Sequence, residues 1–240
     1  MTTPNATTRD FDRSKWLRVS CVALCRIEHS GRYLLLLNRN RRRKGLYVLS
    51  PIGGALLFTD PTALAAFGAV PEDPAAHELR ILIPPHKLDA FREWFYRGVG
   101  RERSPWRELH EELVEESGLL NALAPHEVRI AYSHTVEQAQ TTDRQGLTGW
   151  LTYYFLEIYD VTFLQPATLR ALLSAPPESG ALWVEEAQIR RRQTLQMVSD
   201  GAERTVQLKG QALLSTPNRQ APKPNRRGRS ENSLNSEGKV

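Results

Sequence analysis

Residues 112–119 read Glu-Leu-Val-Glu-Glu-Ser-Gly-Leu, and this stretch decides the interpretation of the whole chain. Residues three and four positions apart lie on one face of an α-helix, so the spacing predicts that the carboxylates of Glu112, Glu115 and Glu116 converge. Gly118 is expected to end the helix, which places these carboxylates in its last turn, where the helix dipole disfavours negative charge. A hard divalent cation such as Mg²⁺ or Mn²⁺ takes oxygen ligands and would offset both penalties. The sequence therefore predicts a metal site.

The same segment has a simpler interpretation as a solvated acidic helix face. Trp106, Leu109 and Leu113 recur at helical spacing and form an apolar stripe, so the helix can pack against a core without a metal. The charge pattern taken alone does not decide between the two interpretations. The residues before and after the segment help to decide between a metal site and a solvated surface.

Two flanking segments match a known pattern. Leu49-Ser50-Pro51-Ile52-Gly53-Gly54 reads as a strand that runs into a glycine loop, and Ser104-Pro105 precedes the acidic helix. Together with residues 112–119, these segments resemble the signature of the Nudix hydrolase superfamily, whose second half is Arg-Glu, an aliphatic residue, any residue, Glu-Glu, any residue, Gly and an aliphatic residue. In this chain the two halves are separated, so residues 55–102 are interpreted as an insertion within the signature.

The resemblance implies both a fold and a chemistry. The fold is a Nudix-type α/β/α sandwich with a mixed central sheet. The implied activity is metal-dependent cleavage of a pyrophosphate linkage in a nucleoside diphosphate-linked compound. Glu112, Glu115 and Glu116 would be the catalytic and metal-binding residues, with Mg²⁺ or Mn²⁺ as cofactor and the carbonyl of Gly54 as a further ligand.

Two positions depart from the signature, and their charges are reversed together. Glu111 stands where the signature has Arg, and Arg103 stands where it has the earlier Glu. We interpret this as a compensated exchange in which Arg103 and Glu111 form a structural ion pair that orients their neighbours. The departure also leaves open a second function, a Nudix fold that binds a nucleotide as a sensor and does not cleave it.

A narrower resemblance rests on the block from residue 32 to residue 54. This block and the interrupted signature are similar to the SMODS-associated Nudix group of bacteria, over residues near 17 to 215. The group is linked with nucleotide second messengers in antiphage defence. The resemblance therefore implies a signalling nucleotide or a nucleotide metabolite as the ligand.

A run of five cations lies within residues 38–45, close in sequence to the glycine loop. Arginine suits bidentate contacts with phosphate, and loops beside a site often determine specificity. We predict that Arg39 and Arg41 bind the substrate. The alternative is a solubilising loop without a ligand.

Composition predicts a cytoplasmic protein with one folded domain, residues 15–215, after a flexible N-terminus, residues 1–14. A chain of 240 residues with 40% hydrophobic content can bury one good core, and no apolar stretch is long enough to span a bilayer. Residues 216–240 have six basic and two acidic residues, which accounts for four of the five net positive charges. Their composition predicts disorder. The tail either contacts nucleic acid weakly or has no partner.

Hydrophobic periodicity predicts the remaining elements. Strands are expected over residues 17–27, 33–37, 78–83, 128–132 and 150–161, and helices over 86–97, 166–174 and 184–197. Residues 137–149 are expected to form a polar hairpin loop. His134 and Glu137 lie beside it and could assist catalysis, although a surface histidine without a fixed partner is the default interpretation. The insertion could act as a lid, form a homodimer interface or pack as a subdomain.

Overall fold

The structure, a computed structural model, describes residue 12 and residues 14–142 and 147–216. The expected flexible N-terminus falls almost entirely outside the described residues, and so does the basic tail from residue 217 onward. Within the described ranges, no helix is long and apolar enough to cross a membrane. The predicted mixed α/β class is confirmed, with the strands divided between two mixed sheets.

Most of the secondary-structure elements in the described residues are strands. The strands are β1 (Leu17–Arg26), β2 (Glu28–His29), β3 (Arg32–Leu37), β4 (Val48–Ser50), β5 (Gly53–Ala55), β6 (Val70–Pro71), β7 (Arg80–Ile83), β8 (Val128–Thr141), β9 (Leu151–Phe163), β10 (Ala181–Glu185), β11 (Thr194–Ser199) and β12 (Ala202–Leu208). The helices are α1 (Arg39–Arg42), α2 (Pro61–Ala65), α3 (Leu88–Arg97), α4 (Trp106–His110), α5 (Pro166–Leu173) and α6 (Glu186–Arg190).

The first sheet is built around β1, which is buried along most of its length. Its strands lie in the order β6-β7-β1-β9-β8, and the short β5 also pairs with β1. β1 and β9 are parallel, whereas the other pairs are antiparallel. A nearly continuous apolar strand such as β1 is typical of a position covered on both faces. The pairing of β5 with β1 fixes the glycine loop to the centre of this sheet.

The second sheet has the order β10-β3-β4-β12-β11, with β2 added beside β3. β4 and β12 are parallel, and the other pairs are antiparallel. Leu35 and Leu49 of this sheet are fully buried in one cluster with Leu156 and Ile158 of β9. The two sheets therefore share a core, and α1 leaves the second sheet at the end of β3.

Two predictions of secondary structure fail in the described chain. The helix expected over 184–197 is divided into β10, the short α6 and β11, because Val184 pairs with β3 and Arg192 takes a left-handed φ of 51° that ends the helix. The loop expected over 137–149 is strand β8 as far as Thr141. In both segments the pairing with a distant strand overrides the local pattern.

The acidic helix packs through the apolar stripe that the sequence predicts. Leu109 and Leu113 are fully buried in a cluster with Cys25 and Ile52. This packing holds the helix against β1 and against the segment that leads into β5. The acidic side chains consequently lie away from this core.

The insertion packs against the first sheet as part of the same domain. β6 and β7 extend the sheet beside β1, and α3 covers it with Phe91 and Phe95 against Phe155 of β9. Two buried ion pairs, Arg18–Glu72 and Arg101–Glu157, join the insertion to β1 and β9. Of the three roles considered for the insertion, packing within the domain is the one that the contacts show.

Candidate functional site

A cavity of about 950 Å³ lies where the glycine loop, the acidic helix and α1 meet. The acidic helix contributes Glu108, Glu111, Glu112 and Glu116 to its lining, and other segments contribute Glu78, Glu178 and Asp200. Its basic lining comes from Arg39, Arg42, Arg43, Arg80 and Arg107. Such an arrangement can hold a cation and an anionic ligand side by side, because each relieves the repulsion within the opposite set of charges.

The two loop glycines allow close approach of backbone and carboxylate. Gly53 has φ of +143°, and a Cβ there would lie 2.1 Å from the carbonyl oxygen of Ala23 in β1. A Cβ on Gly54 would lie 2.1 Å from Oε2 of Glu108. The loop therefore needs glycine at position 53, whereas a side chain at position 54 would displace the carboxylate of Glu108. The consequence at Gly54 is that a carboxylate of the acidic helix rests directly on the backbone.

The acidic helix changes its hydrogen-bond register halfway along. α4 continues into a π-helical turn, Glu111–Glu116, and the amide of Ser117 donates to the carbonyl of Glu112 over 3.1 Å, five residues earlier. A π turn contains an extra residue relative to an α turn, so the side chains in it point in different directions from those of a continuous α-helix. Such turns occur often at functional sites.

The π turn changes which carboxylates meet. Glu112 and Glu116 line the cavity as predicted, together with Glu108, which is four residues before Glu112. Glu115 instead faces His110, with its Oε1 3.1 Å from Nδ1, and its side chain is 60% exposed. The predicted convergence of three carboxylates is therefore not what the structure shows. Glu108 supplies the third carboxylate in the cavity in place of Glu115.

Glu112 is the most deeply placed of these acids. The amide of Gly53 donates to its Oε1 over 3.0 Å, which ties the helix to the glycine loop. Burial raises the pKa of Glu112 to about 8, and repulsion from Glu108 and Glu116 adds to the shift, while the Gly53 amide opposes it. Burial also raises the pKa of Glu108, against the effect of the Arg107 guanidinium. Negative charge on both carboxylates is thus disfavoured in the cavity.

Arg107 is a site residue that the sequence interpretation missed. Its guanidinium lies 2.7 Å from Glu108, 3.1 Å from Glu102 and 3.4 Å from Glu111, and it donates to the carbonyl oxygen of Ala55 over 2.8 Å. A planar guanidinium can hold several acceptors in fixed directions. Arg107 therefore joins the acidic helix to the loop that follows β5.

The expected ion pair between Arg103 and Glu111 does not form. Glu111 pairs with Arg107, one helical turn before it, and Arg103 has no ion pair within the described part of the chain. The guanidinium of Arg103 lies beside Gly98 instead. The sequence does contain a pattern that points to Arg107. Residues 107–112 read Arg-Glu-Leu-His-Glu-Glu, which is the Arg-Glu-x-x-Glu-Glu part of the signature placed four residues before the position that Glu111 occupies.

The basic rim of the cavity is the short helix α1. The side chain of Asn38 caps it by accepting a hydrogen bond from the amide of Arg41 over 3.0 Å. Arg39 lines the cavity and lies 3.8 Å from Glu116. Arg42 also lines it and pairs with Asp200 in the turn between β11 and β12. Arg41, the other predicted contact, is not among the lining residues.

His134 and Glu137 lie in other environments. His134 is buried, with its ring nitrogens 3.1 Å from Ser133 and 3.0 Å from Ser215. Glu137 accepts from Arg92 of α3 over 2.9 Å and from the hydroxyl of Tyr96 over 2.7 Å. The default of a surface histidine without a partner is wrong, and Glu137 serves to attach the insertion.

The carboxylates of the cavity fit a hard divalent cation in their chemistry. Among the described residues, no three Asp, Glu, His or Cys side chains are already arranged around one point. A cation would therefore have to draw the carboxylates together, and the half-exposed Glu116 has the freedom to move. The raised pKa of Glu112 is consistent with negative charge that a cation would stabilise.

The chain matches a family of known proteins. A family model described as SMODS-associated NUDIX domain matches residues 16–207. The matched range contains the glycine loop, the insertion, the acidic helix and α1, and thus all the residues that line the cavity. No curated protein matches the chain.

Proposed function

The chain belongs to the SMODS-associated NUDIX family, and on this premise we propose that it is a metal-dependent hydrolase of a pyrophosphate linkage. The proposed substrate is a nucleoside diphosphate-linked or signalling nucleotide, with a role in bacterial antiphage defence. The observation that carries the proposal is one cavity in which acidic side chains and arginines meet beside a glycine loop. This is the combination that a phosphate substrate and its metal ion require.

The acidic wall supplies the metal ligands in this proposal. Glu112, Glu116 and the carbonyl of Gly54 would hold Mg²⁺ or Mn²⁺, and Glu115 would join them only by leaving His110. When bound, the ion activates water and stabilises charge on the phosphoryl oxygens. Glu108, which lines the cavity, is half-buried and is not among these ligands, can accept the proton of the attacking water.

The basic rim binds the phosphates. Arg39 is half-exposed and only 3.8 Å from Glu116, and an ion pair at such a position is worth little. A cation on Glu116 would release Arg39 for a phosphate oxygen, to which a guanidinium can donate two hydrogen bonds. Arg41 remains a proposed contact from the sequence alone.

The alternative function is a nucleotide sensor without turnover. It is favoured by the loss of the signature Arg at position 111, since a site without its positioning arginine can lose activity while it still binds. Arg107 is evidence against the sensor, because it contacts Glu108 and Glu111 and so gives the acidic helix an arginine near the position of the missing one. Metal-dependent turnover distinguishes the two functions.

The test is a panel of nucleoside diphosphate-linked compounds, dinucleoside polyphosphates and cyclic oligonucleotides, each with Mg²⁺ or Mn²⁺. We expect cleavage of a pyrophosphate bond that stops when EDTA is added and returns when excess metal is restored, because the carboxylates need the cation to act. Phosphate release and mass spectrometry identify the bond. Saturable binding without cleavage across the panel would establish the sensor instead.

Replacing Arg107 by Met should reduce turnover about 10- to 100-fold and raise the metal concentration needed for half-maximal activity, because Arg107 fixes Glu111 and Ala55, the neighbours of the proposed ligands Glu112 and Gly54. The measurement is a metal titration of kcat. Arg103→Met is the matched control, since Arg103 has no ion pair in the described chain, and it should titrate like the wild type. An equal loss in both variants would contradict the assignment of Arg107.

A further inference from the structure

The insertion contributes two charged side chains of its own to the cavity, Glu78 and Arg80. Nη1 of Arg80 donates to Oε2 of Glu78 over 2.6 Å. The side chains are 28% and 30% exposed, so both are open to a ligand without being fully solvated. Neither residue belongs to the acidic helix or to α1.

Arg80 occupies a fixed position in the wall. It lies in β7, where it pairs with Ser20 of β1, and its carbonyl accepts from the amide of Glu72 over 2.8 Å. The carboxylate of Glu72 forms a buried ion pair with Arg18, at 9% and 3% side-chain exposure. A segment with such anchors is a built wall and not a mobile lid, because breaking a buried pair exposes an uncompensated charge.

Arg80 and Arg39 both line the cavity, and their contacts lead to different ends of the acidic helix. Leu57, which pairs with Glu78, donates its amide to Glu102, and Glu102 in turn pairs with Arg107 at the start of the helix. Arg39 contacts Glu116 at the end of the helix. Arg107 and Glu116 are nine positions apart, which corresponds to at most about 13 Å along the helix axis at about 1.5 Å per residue.

We propose that Arg80 is a specificity residue that binds a second anionic group of the substrate, beyond the pyrophosphate that α1 and the metal ligands engage. The inference rests on the proposed function and names the substrate class more narrowly. A substrate with a further phosphate reaches both basic positions of the cavity, whereas a substrate without it leaves Arg80 paired with Glu78. Glu78 therefore competes with the ligand for Arg80.

The test uses pairs of substrates that differ by one phosphate, such as coenzyme A with 3′-dephospho-coenzyme A and NADPH with NADH, added to the panel above. For the wild type we expect a lower KM for the phosphorylated member. Arg80→Gln should raise that KM about tenfold and leave the KM of the other member and both kcat values unchanged. Glu78→Gln should lower the KM of the phosphorylated member, because the competing carboxylate is gone.

Arg97→Gln is the matched control, since Arg97 is an exposed arginine of the insertion in α3 that does not line the cavity. It should leave every KM unchanged. Equal KM changes for both members of a pair in Arg80→Gln, or a wild type that cleaves panel compounds without preferring the phosphorylated member, would overturn the inference and leave the hydrolase intact. A wild type that cleaves nothing would refute the proposed function and the inference with it.

Discussion

Replacing Glu112 by Gln is expected to lower kcat roughly a thousandfold, an effect of the size seen when one group that stabilises transition-state charge is removed. Glu112 is nearly buried, lines the cavity and is held by the Gly53 amide, so a neutral amide would keep its shape and remove its charge. The measurement is turnover of the best panel substrate at saturating Mg²⁺ or Mn²⁺. The midpoint of thermal unfolding should not fall, because the substitution removes a crowded negative charge that burial already disfavours.

Glu115→Gln is the control that makes this result informative. It is the same substitution in the same turn, but the side chain of Glu115 faces His110 and is mostly exposed. We expect turnover within about twofold of the wild type, since a surface substitution of this kind has little effect. An equal loss in both variants would show that Glu115 leaves His110 in the active enzyme, as α-helical spacing predicts, and that the π turn is rearranged when metal binds.

The difference between Glu112 and Glu115 shows how far spacing can predict a site. The apolar stripe of Leu109 and Leu113 follows from periodicity, and its burial fixes which face of the helix points to the cavity. A register shift from α to π, such as the one in which the amide of Ser117 donates to the carbonyl of Glu112, cannot be predicted from the spacing of side chains. Spacing therefore predicted Glu112 and Glu116 in the cavity and missed that Glu108, and not Glu115, lies there with them.

Helical spacing is enough to predict the ion-pair partner of Glu111. Arg107 lies four residues before Glu111, which is the spacing of a helical ion pair, whereas Arg103 lies before the helix begins. The family signature predicts Arg103 as the partner, whereas helical spacing predicts Arg107. Where a family pattern and helix geometry disagree, the geometry decided the contact in this chain.

Residues 184–197 are a segment where the spacing of apolar residues does not predict the secondary structure. Residues 184–197 contain apolar residues at irregular spacing that fit a helix as well as two short strands. The outcome depends on pairing of β10 with β3 and of β11 with β12, contacts that are remote in sequence in the first case. The position of the insertion likewise depends on Arg18, Arg92 and Glu157, which pair across long sequence separations that spacing cannot reveal.

Replacing Glu157 by Gln is expected to lower the free energy of unfolding by about 3–5 kcal/mol, which is the usual cost of removing one partner of a buried ion pair. The carboxylate of Glu157 accepts two hydrogen bonds from Arg101, at 2.7 and 3.2 Å, and one from the hydroxyl of Tyr159 at 2.7 Å. The side chains of the pair are only 3% and 5% exposed. The substitution leaves the Arg101 charge buried over the ring of Phe95 without its partner.

The measurement is chemical and thermal unfolding, in which the midpoint temperature should fall on the order of 10 °C for a domain of this size. Glu186→Gln, which breaks the exposed pair with Arg190, is the control and should change stability by less than about 0.5 kcal/mol. Replacing both buried partners, by Arg101→Met with Glu157→Leu, should recover much of the loss, because no unpaired charge remains. If the single and double variants were equally destabilised, the shape of the pair and not its charge would hold the insertion to β9. Loss of activity in the double variant despite recovered stability would then show that the Arg101 guanidinium, next to Glu102, also holds the start of the acidic helix in place.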